Sequence, residues 1–173
     1  MFESQTTVQY VGGEVSKTNC VNVDESMVEY FGKSGNALKQ RIPTKPIRSG
    51  YKVWALNLDD GHLFNCEIYQ GKGSQSEYQA TFCHGPVVVL GLVDNLQTGN
   101  FKVFIDNFFT STKLLFHLGQ KGIGYTGTFS KNMTEHCPFP SDSDMKKAGR
   151  GIFKSYVHRD LNLQLTRWQD NKF

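Results

Sequence analysis

No apolar run in this 173-residue chain approaches the roughly 18 residues that a membrane-spanning helix needs. The longest, Val87 to Val93, is broken by Gly91. The N-terminus, Met1-Phe2-Glu3-Ser4-Gln5, has neither the basic nor the apolar region of a secretory leader. Cysteine is sparse: Cys20, Cys66, Cys83 and Cys137 are far apart and form no C-x-x-C pair. A disulfide scaffold and a zinc ribbon are therefore not expected, and a reducing compartment is. His84 follows Cys83 and His136 precedes Cys137, but adjacent residues on an extended chain point to opposite sides and chelate poorly. Charge of one sign is also lacking. With 19 Lys and Arg against 16 Asp and Glu, the net charge is only +3. Any affinity for nucleic acid must come from where the cations sit, not from their excess.

Aromatic bulk is present, with 13 Phe, 7 Tyr and 2 Trp. That suffices for the core of one domain. Residues 1–18 are polar and glycine-bearing and read as a lead-in, either a frayed strand or a remnant of an upstream element. Cys20-Val21-Asn22-Val23-Asp24 is a short strand pattern ending on an acid. From Phe31 to Gly50 the chain is basic and turn-rich, with Pro43 and Pro46 excluding a helix. Residues 51–58 and 62–69 read as two strands joined at Asp59-Asp60-Gly61, a hairpin turn signal. Phe64, Cys66 and Ile68 fall on one face of the second, and Trp54 and Phe64 read as core residues.

Gly85-Pro86 opens a helix to residue 98, with Val89, Leu92, Val93 and Leu96 at helical spacing and Gly99 after it. Residues 101–106 form a further strand ending on an acid. Thr110 or Ser111 caps a second helix, stopped at Gly122. Residues 123–129 form another strand, 132–149 a polar loop with Pro138 and Pro140, and 151–168 a hairpin turning near Arg159-Asp160.

This order places chemistry. A helix joining the hairpin to strand 101–106 makes a crossover, and crossovers set strands parallel. If that strand lies beside strand 20–24, Asp24 and Asp106 share one sheet edge, on strands about 4.8 Å apart. Two close carboxylates repel unless one protonates or a cation joins them. Mg²⁺ suits such a pair, and metal-held phosphates suit phosphoryl transfer. Read from spacing alone, the two acids are either metal ligands or ordinary strand-end caps. Glu25 reads either as an outer ligand supporting a metal at Asp24 or, since consecutive strand residues face opposite ways, as a surface residue. Phe108 and Phe109 read as anchors for the Asp106 loop. Lys33, Lys39, Arg41, Lys45, Arg48 and Lys52 cluster within twenty residues beside Phe31 and Tyr51, a pattern that fits phosphate contacts, with Lys131 a further candidate. His158-Arg159-Asp160-Leu161 opens like a kinase catalytic loop, but Leu165 stands where its Asn belongs.

Several blocks, in order, resemble the catalytic core of piggyBac-type transposases. They are Val23-Asp24-Glu25-Ser26-Met27, Leu38-Lys39-Gln40-Arg41-Ile42-Pro43-Thr44-Lys45-Pro46, Gly50-Tyr51-Lys52-Val53-Trp54, Tyr69-Gln70-Gly71-Lys72-Gly73, Asp106-Asn107-Phe108-Phe109-Thr110-Ser111, and Gly122-Ile123 through Lys131-Asn132. The resemblance covers residues 19–132 and, more loosely, 150–172. It implies an α/β fold with a ribonuclease-H-like mixed sheet flanked by helices, and a metal site of the DDE/D type. It implies Asp24 and Asp106 as catalytic residues and Mg²⁺ ligands, DNA as partner at transposon ends with a TTAA preference, homodimers and a nuclear location. It divides the chain into a lead-in at 1–18, a partial core at 19–131, and a loop with the start of a β-rich insertion at 132–173. The family's third acid lies beyond that insertion. Asp142, Asp144, Asp160 and Asp170 stand in no matching context, so weak metal binding and no cleavage by the chain alone are expected. A domesticated DNA-binding or protein-interaction domain is the alternative. The 151–168 hairpin is expected to leave an unpaired edge.

Overall fold

The computed structural model describes residues 2–10, 19–32, 37–71, 78, 81–96, 101–130 and 137–171. The alternation that begins at Cys20 does not stop at Asp24. Strand β2 runs over Asn19–Glu29. It pairs antiparallel with β4 (Ser49–Leu58) along its length, from Val21↔Leu58 to Glu29↔Gly50. The other edge of β4 carries two short antiparallel strands, β3 (Lys39–Arg41) and β5 (Leu63–Ile68). Between β4 and β5 the Asp-Asp-Gly turn forms as its chemistry demands. Gly61 takes φ 85°, and the Asp60 carboxylate accepts the His62 N–H at 2.8 Å.

Helix α1 (His84–Val93) then crosses over to β6 (Phe101–Ile105), which lies parallel to β2. Helix α2 (Thr112–Gln120) crosses again to β7 (Gly124–Thr128), parallel to β6. The sheet continues antiparallel through β1 (Phe2–Tyr10), β9 (Leu163–Asn171) and β8 (Phe153–His158). A short helix, α3 (Asp142–Ala148), precedes β8. The path is β3-β4-β2-β6-β7-β1-β9-β8, with β5 also on β4. Within it, β5-β4-β2-β6-β7 is an antiparallel triplet followed by two parallel strands reached through helices. That is the expected ribonuclease-H-like arrangement.

The core lies against the face bearing Val21, Val23, Trp54, Leu56, Val103 and Ile105. Helix α1 buries eight of its ten residues, so its apolar character all round reflects burial on more than one side. Helix α2 is capped by Ser111, whose hydroxyl accepts the Leu114 N–H at 3.2 Å. It ends in a Schellman motif: Ile123 N–H reaches Leu118 O and Gly122 N–H reaches Gly119 O, both at 3.0 Å, with Gly122 at φ 70°. Among the described residues no helix is long and apolar enough to cross a membrane.

Some expectations need correction. Residues 2–10, read as a lead-in or frayed strand, are a fully paired strand: β1 has β7 on one side and β9 on the other. Helix α1 starts at His84, two residues before Pro86, and ends at Val93; Gly99 lies outside the described residues. Part of the polar loop is helix α3, with Ser141 as its cap and Asp142 and Asp144 in its first turn. Phe64 is 44% exposed, because the Phe64-Cys66-Ile68 face of β5 turns outward. The 151–168 hairpin forms as β8–β9 and leaves the expected edge: β1 covers β9, and β8 pairs only with β9 among the described residues.

Candidate functional site

The parallel register of β2 on β6 ends at Val23↔Ile105. Asp24 and Asp106 are each the next residue along, so their backbone positions adjoin where the strands part. Asp24 is not at a strand end, because β2 runs on along β4, where Asp24 faces Ala55. Asp106 does leave the sheet. Its carboxylate accepts the Phe108 N–H at 2.9 Å, and its carbonyl accepts the Thr110 hydroxyl at 2.6 Å and the Thr110 N–H at 3.1 Å. Phe109 and Thr110 are each 1% exposed. The Asp-Asn-Phe-Phe-Thr-Ser block is therefore a turn pinned by two buried residues and closed by the α2 cap. That turn fixes where Asp106 stands.

Both acids are exposed to solvent. Asp24 Oδ1 accepts the Glu25 N–H at 2.7 Å, and Asp106 Oδ1 is the oxygen bonded to Phe108. The second oxygen of each has no hydrogen-bond or ion-pair partner among the described residues. Two hard oxygen donors fit a hard divalent cation such as Mg²⁺. Among the described residues no group of three His, Cys, Asp or Glu forms that could hold a metal.

The basic stretch divides in two. Lys52 and Lys45 both reach Glu25, at 2.8 and 3.3 Å. Partial burial works against ionisation of Glu25. The hydrogen bonds and charges of Lys52, then Lys45, outweigh it and hold the carboxyl below its usual range. Glu25 is thus a clamp between β2, β4 and the 41–48 loop, not a simple surface acid. Lys39 sits over the Tyr30 ring at 5.3 Å. Arg41 and Arg48 are exposed and have no ion pair among the described residues. Lys33 and Lys131 lie outside the described residues.

A lowered carboxyl pKa contributes stability that is present above the unfolded value and lost as pH falls through the folded one. Glu25→Gln is therefore expected to flatten the acid limb of the stability curve. Urea midpoints measured from about pH 6 down to about pH 2 check this. Parallel curves for variant and parent would show that the clamp contributes nothing.

Sequence reading missed a cavity of about 540 Å³ lined by Gln40, Lys52, Trp54, Tyr69, His84 and Phe108. These residues come from β3, β4, the loop after β5, α1 and the Asp106 turn, so only the tertiary fold brings them together. Phe108 is no buried anchor: it is 52% exposed and stacks on Trp54 at 5.6 Å. His158-Arg159-Asp160-Leu161 forms the end of β8 and the exposed turn to β9. The four cysteines are free.

The family described as Transposase IS4, a DDE-type group, matches residues 15–173. PiggyBac transposable element-derived protein 2 from Homo sapiens is 37% identical over 150 residues, 85% of this chain and 25% of that protein. PiggyBac transposable element-derived protein 3 from Homo sapiens is 36% identical over 151 residues, 86% of this chain and 25% of that protein. The chain thus spans about a quarter of the length of the curated relatives it matches. The cryo-EM structure of a piggyBac transposase synaptic complex with hairpin DNA superposes with a TM-score of 0.62 at 22% identity, over 88% of this chain and 33% of that one. That likeness shows the shared fold. With the strand order, the acid register and these relatives in agreement, the chain belongs to the Transposase IS4 family and carries a piggyBac transposase-like domain.

Proposed function

We propose that this domain binds DNA and presents Asp24 and Asp106 as the ligands of a divalent cation at a phosphodiester. The observation that supports this is the parallel β2–β6 register, which ends at Val23↔Ile105, one residue before each acid. Arg41 and Arg48 lie at the same end of the sheet. Arg41 pairs with Ser49, and β4 in that region pairs with Val28 and Glu29 of β2, roughly 15 Å along the strand from Asp24. A DNA backbone crossing that end can meet both cations and acids. The chemistry supplied by a bound Mg²⁺ is Lewis-acid activation of a phosphoryl group. Asp24 and Asp106 would hold it, and the buried Phe109-Thr110 turn keeps Asp106 in place. Names of similar proteins support the reading, since they are transposases or derived from transposable elements. By the same family resemblance it extends to action as a homodimer on paired ends, in the nucleus.

Two acids position one cation better than two, and paired-metal displacement depends on fixed geometry. A second reading, binding without cleavage by this chain, is favoured by the lack of a third ligand beside the pair among the described residues.

A short labelled duplex, titrated with the chain over a salt series, tests the binding. Arg41→Ala with Arg48→Ala should lower affinity and reduce the slope of log K against log salt by about two. A double variant that binds as tightly as the parent would sink the basic-edge account. Asp24→Asn should weaken Mn²⁺ binding in calorimetry while leaving DNA affinity at low salt equal or slightly raised. Cleavage in Mg²⁺ or Mn²⁺ that Asp106→Ala abolishes would favour the catalytic reading. Binding with no cleavage would favour the second.

A further inference from the structure

The cavity missed by sequence reading adjoins the Asp106 turn. Phe108, whose N–H the Asp106 carboxylate holds, forms one wall. Its ring lies nearly parallel to Trp54, at 18° and 5.6 Å, so it is backed on one side while half its surface meets solvent. An aromatic ring held in this way is a stacking platform already ordered before binding.

Electrostatics decide what the platform suits. Rings grouped around open space often take a cation. Here the cation is built in. Lys52 Nζ lies 3.9 Å from the Trp54 centroid and 5.7 Å from those of Tyr69 and Phe108. Glu25 holds Lys52 at 2.8 Å but is shared with Lys45, so the three groups keep one net positive charge, which a cationic ligand would meet and an anionic one gains from. Hydrogen bonding adds a further demand. His84 packs edge-on to Trp54 at 5.9 Å and to Tyr69 at 6.0 Å, and its buried Nε2 has no hydrogen-bond partner among the described residues. A buried polar atom left unpaired costs free energy that a ligand group can recover. Flat aromatic surface, negative charge and hydrogen-bonding edge together describe a nucleotide. A base paired within a duplex is stacked on both faces and cannot reach such a wall, so the nucleotide must be unpaired.

We propose that this cavity binds one unpaired nucleotide of a DNA strand end, with its base on Phe108, its phosphate on Lys52, and His84 Nε2 bonded to it. This rests on the reading of the domain as DNA-binding, and adds a preference for strand ends with a single-stranded extension.

The test uses the full chain and three labelled DNAs of one duplex sequence in fluorescence anisotropy. One is blunt, one has a short 3′ extension, and one has that extension with its bases removed. The extended DNA should bind roughly tenfold more tightly than the blunt one, within the range of one base–aromatic stack. Base removal should abolish most of that gain with the unaltered protein. Phe108→Ala should do the same while blunt-duplex affinity stays within about twofold, with circular dichroism confirming its fold. Equal affinity for all three DNAs would overturn the nucleotide site and leave DNA binding standing. No binding to any of them would overturn both. A free deoxynucleoside monophosphate that binds while the extension brings no gain would make this a mononucleotide site and overturn the strand-end assignment.

Discussion

Trp54→Ala is expected to destabilise the domain by about 3–5 kcal/mol, the usual cost of removing a fully buried large ring. Trp54 is 1% exposed, and its indole meets four other rings. Phe109 and Tyr69 pack edge-on to it at 5.4 and 6.1 Å, and Phe108 stacks on it. Lys52 loses a cation–π partner in the same step, a smaller term. The deletion leaves a void beneath residues from β4, α1 and the Asp106 turn, which cannot all collapse into it together. A lower urea midpoint with unchanged slope is the expected signature. Because Phe108 and Phe109 flank Asp106, amide exchange over residues 106–110 should also accelerate more than exchange in β8. Trp54→Phe keeps an aromatic surface and should cost less than half as much. A Trp54→Ala unfolding free energy within about 1 kcal/mol of the parent would mean that the ring cluster is not the anchor described.

The parts of this fold that could be read directly are those where local chemistry is sufficient. The Asp-Asp-Gly turn, the Ser111 cap and the Gly122 stop each act over a few residues, and each forms as expected. The parallel pairing of β6 with β2 was also accessible, because the handedness and parallelism of crossovers constrain where β6 can lie. What escaped depends on partners distant in sequence. The extension of β2 beyond Asp24 is carried by β4, through pairs such as Val28↔Tyr51. Strand β1 looked unattached because its partners, β7 and β9, come more than a hundred residues later. Helix α3 is a different case. Ser141, two acids in the first turn and Lys146 and Lys147 in the last were all visible as helix signals. The neighbouring Pro138 and Pro140 drew the segment toward a loop reading. Among the cations, the sequence shows a cluster but not its division. Only the fold reveals that Glu25 claims Lys45 and Lys52 and leaves Arg41 and Arg48 exposed.

Two glycines in one helix should respond to the same substitution with opposite sign. Helix propensity alone predicts that glycine to alanine stabilises α1 at either position by up to about 1 kcal/mol. At Gly91 nothing opposes this, since an added Cβ would meet only the Glu67 carboxylate, at 3.9 Å. At Gly85 the Cβ would lie 2.3 Å from the Phe108 carbonyl oxygen and 3.1 Å from Phe109 Cα. Both atoms are backbone in the turn that carries Asp106, so no side chain can rotate aside. Overpacking of that kind costs about 1–3 kcal/mol or more, which exceeds the propensity gain. Gly85→Ala is therefore expected to lower the thermal midpoint and Gly91→Ala to raise it or leave it unchanged. The Gly85 variant has a second consequence. Relief of the clash requires α1 and the 106–109 turn to separate, which moves Asp106 relative to Asp24. Mn²⁺ binding should then weaken in Gly85→Ala even at temperatures where the variant is fully folded, while Gly91→Ala should match the parent. If both variants shift the midpoint in the same direction, the close approach of α1 to the Asp106 turn does not control stability. If Gly85→Ala is destabilised yet binds Mn²⁺ like the parent, that contact supports the fold without positioning the acid.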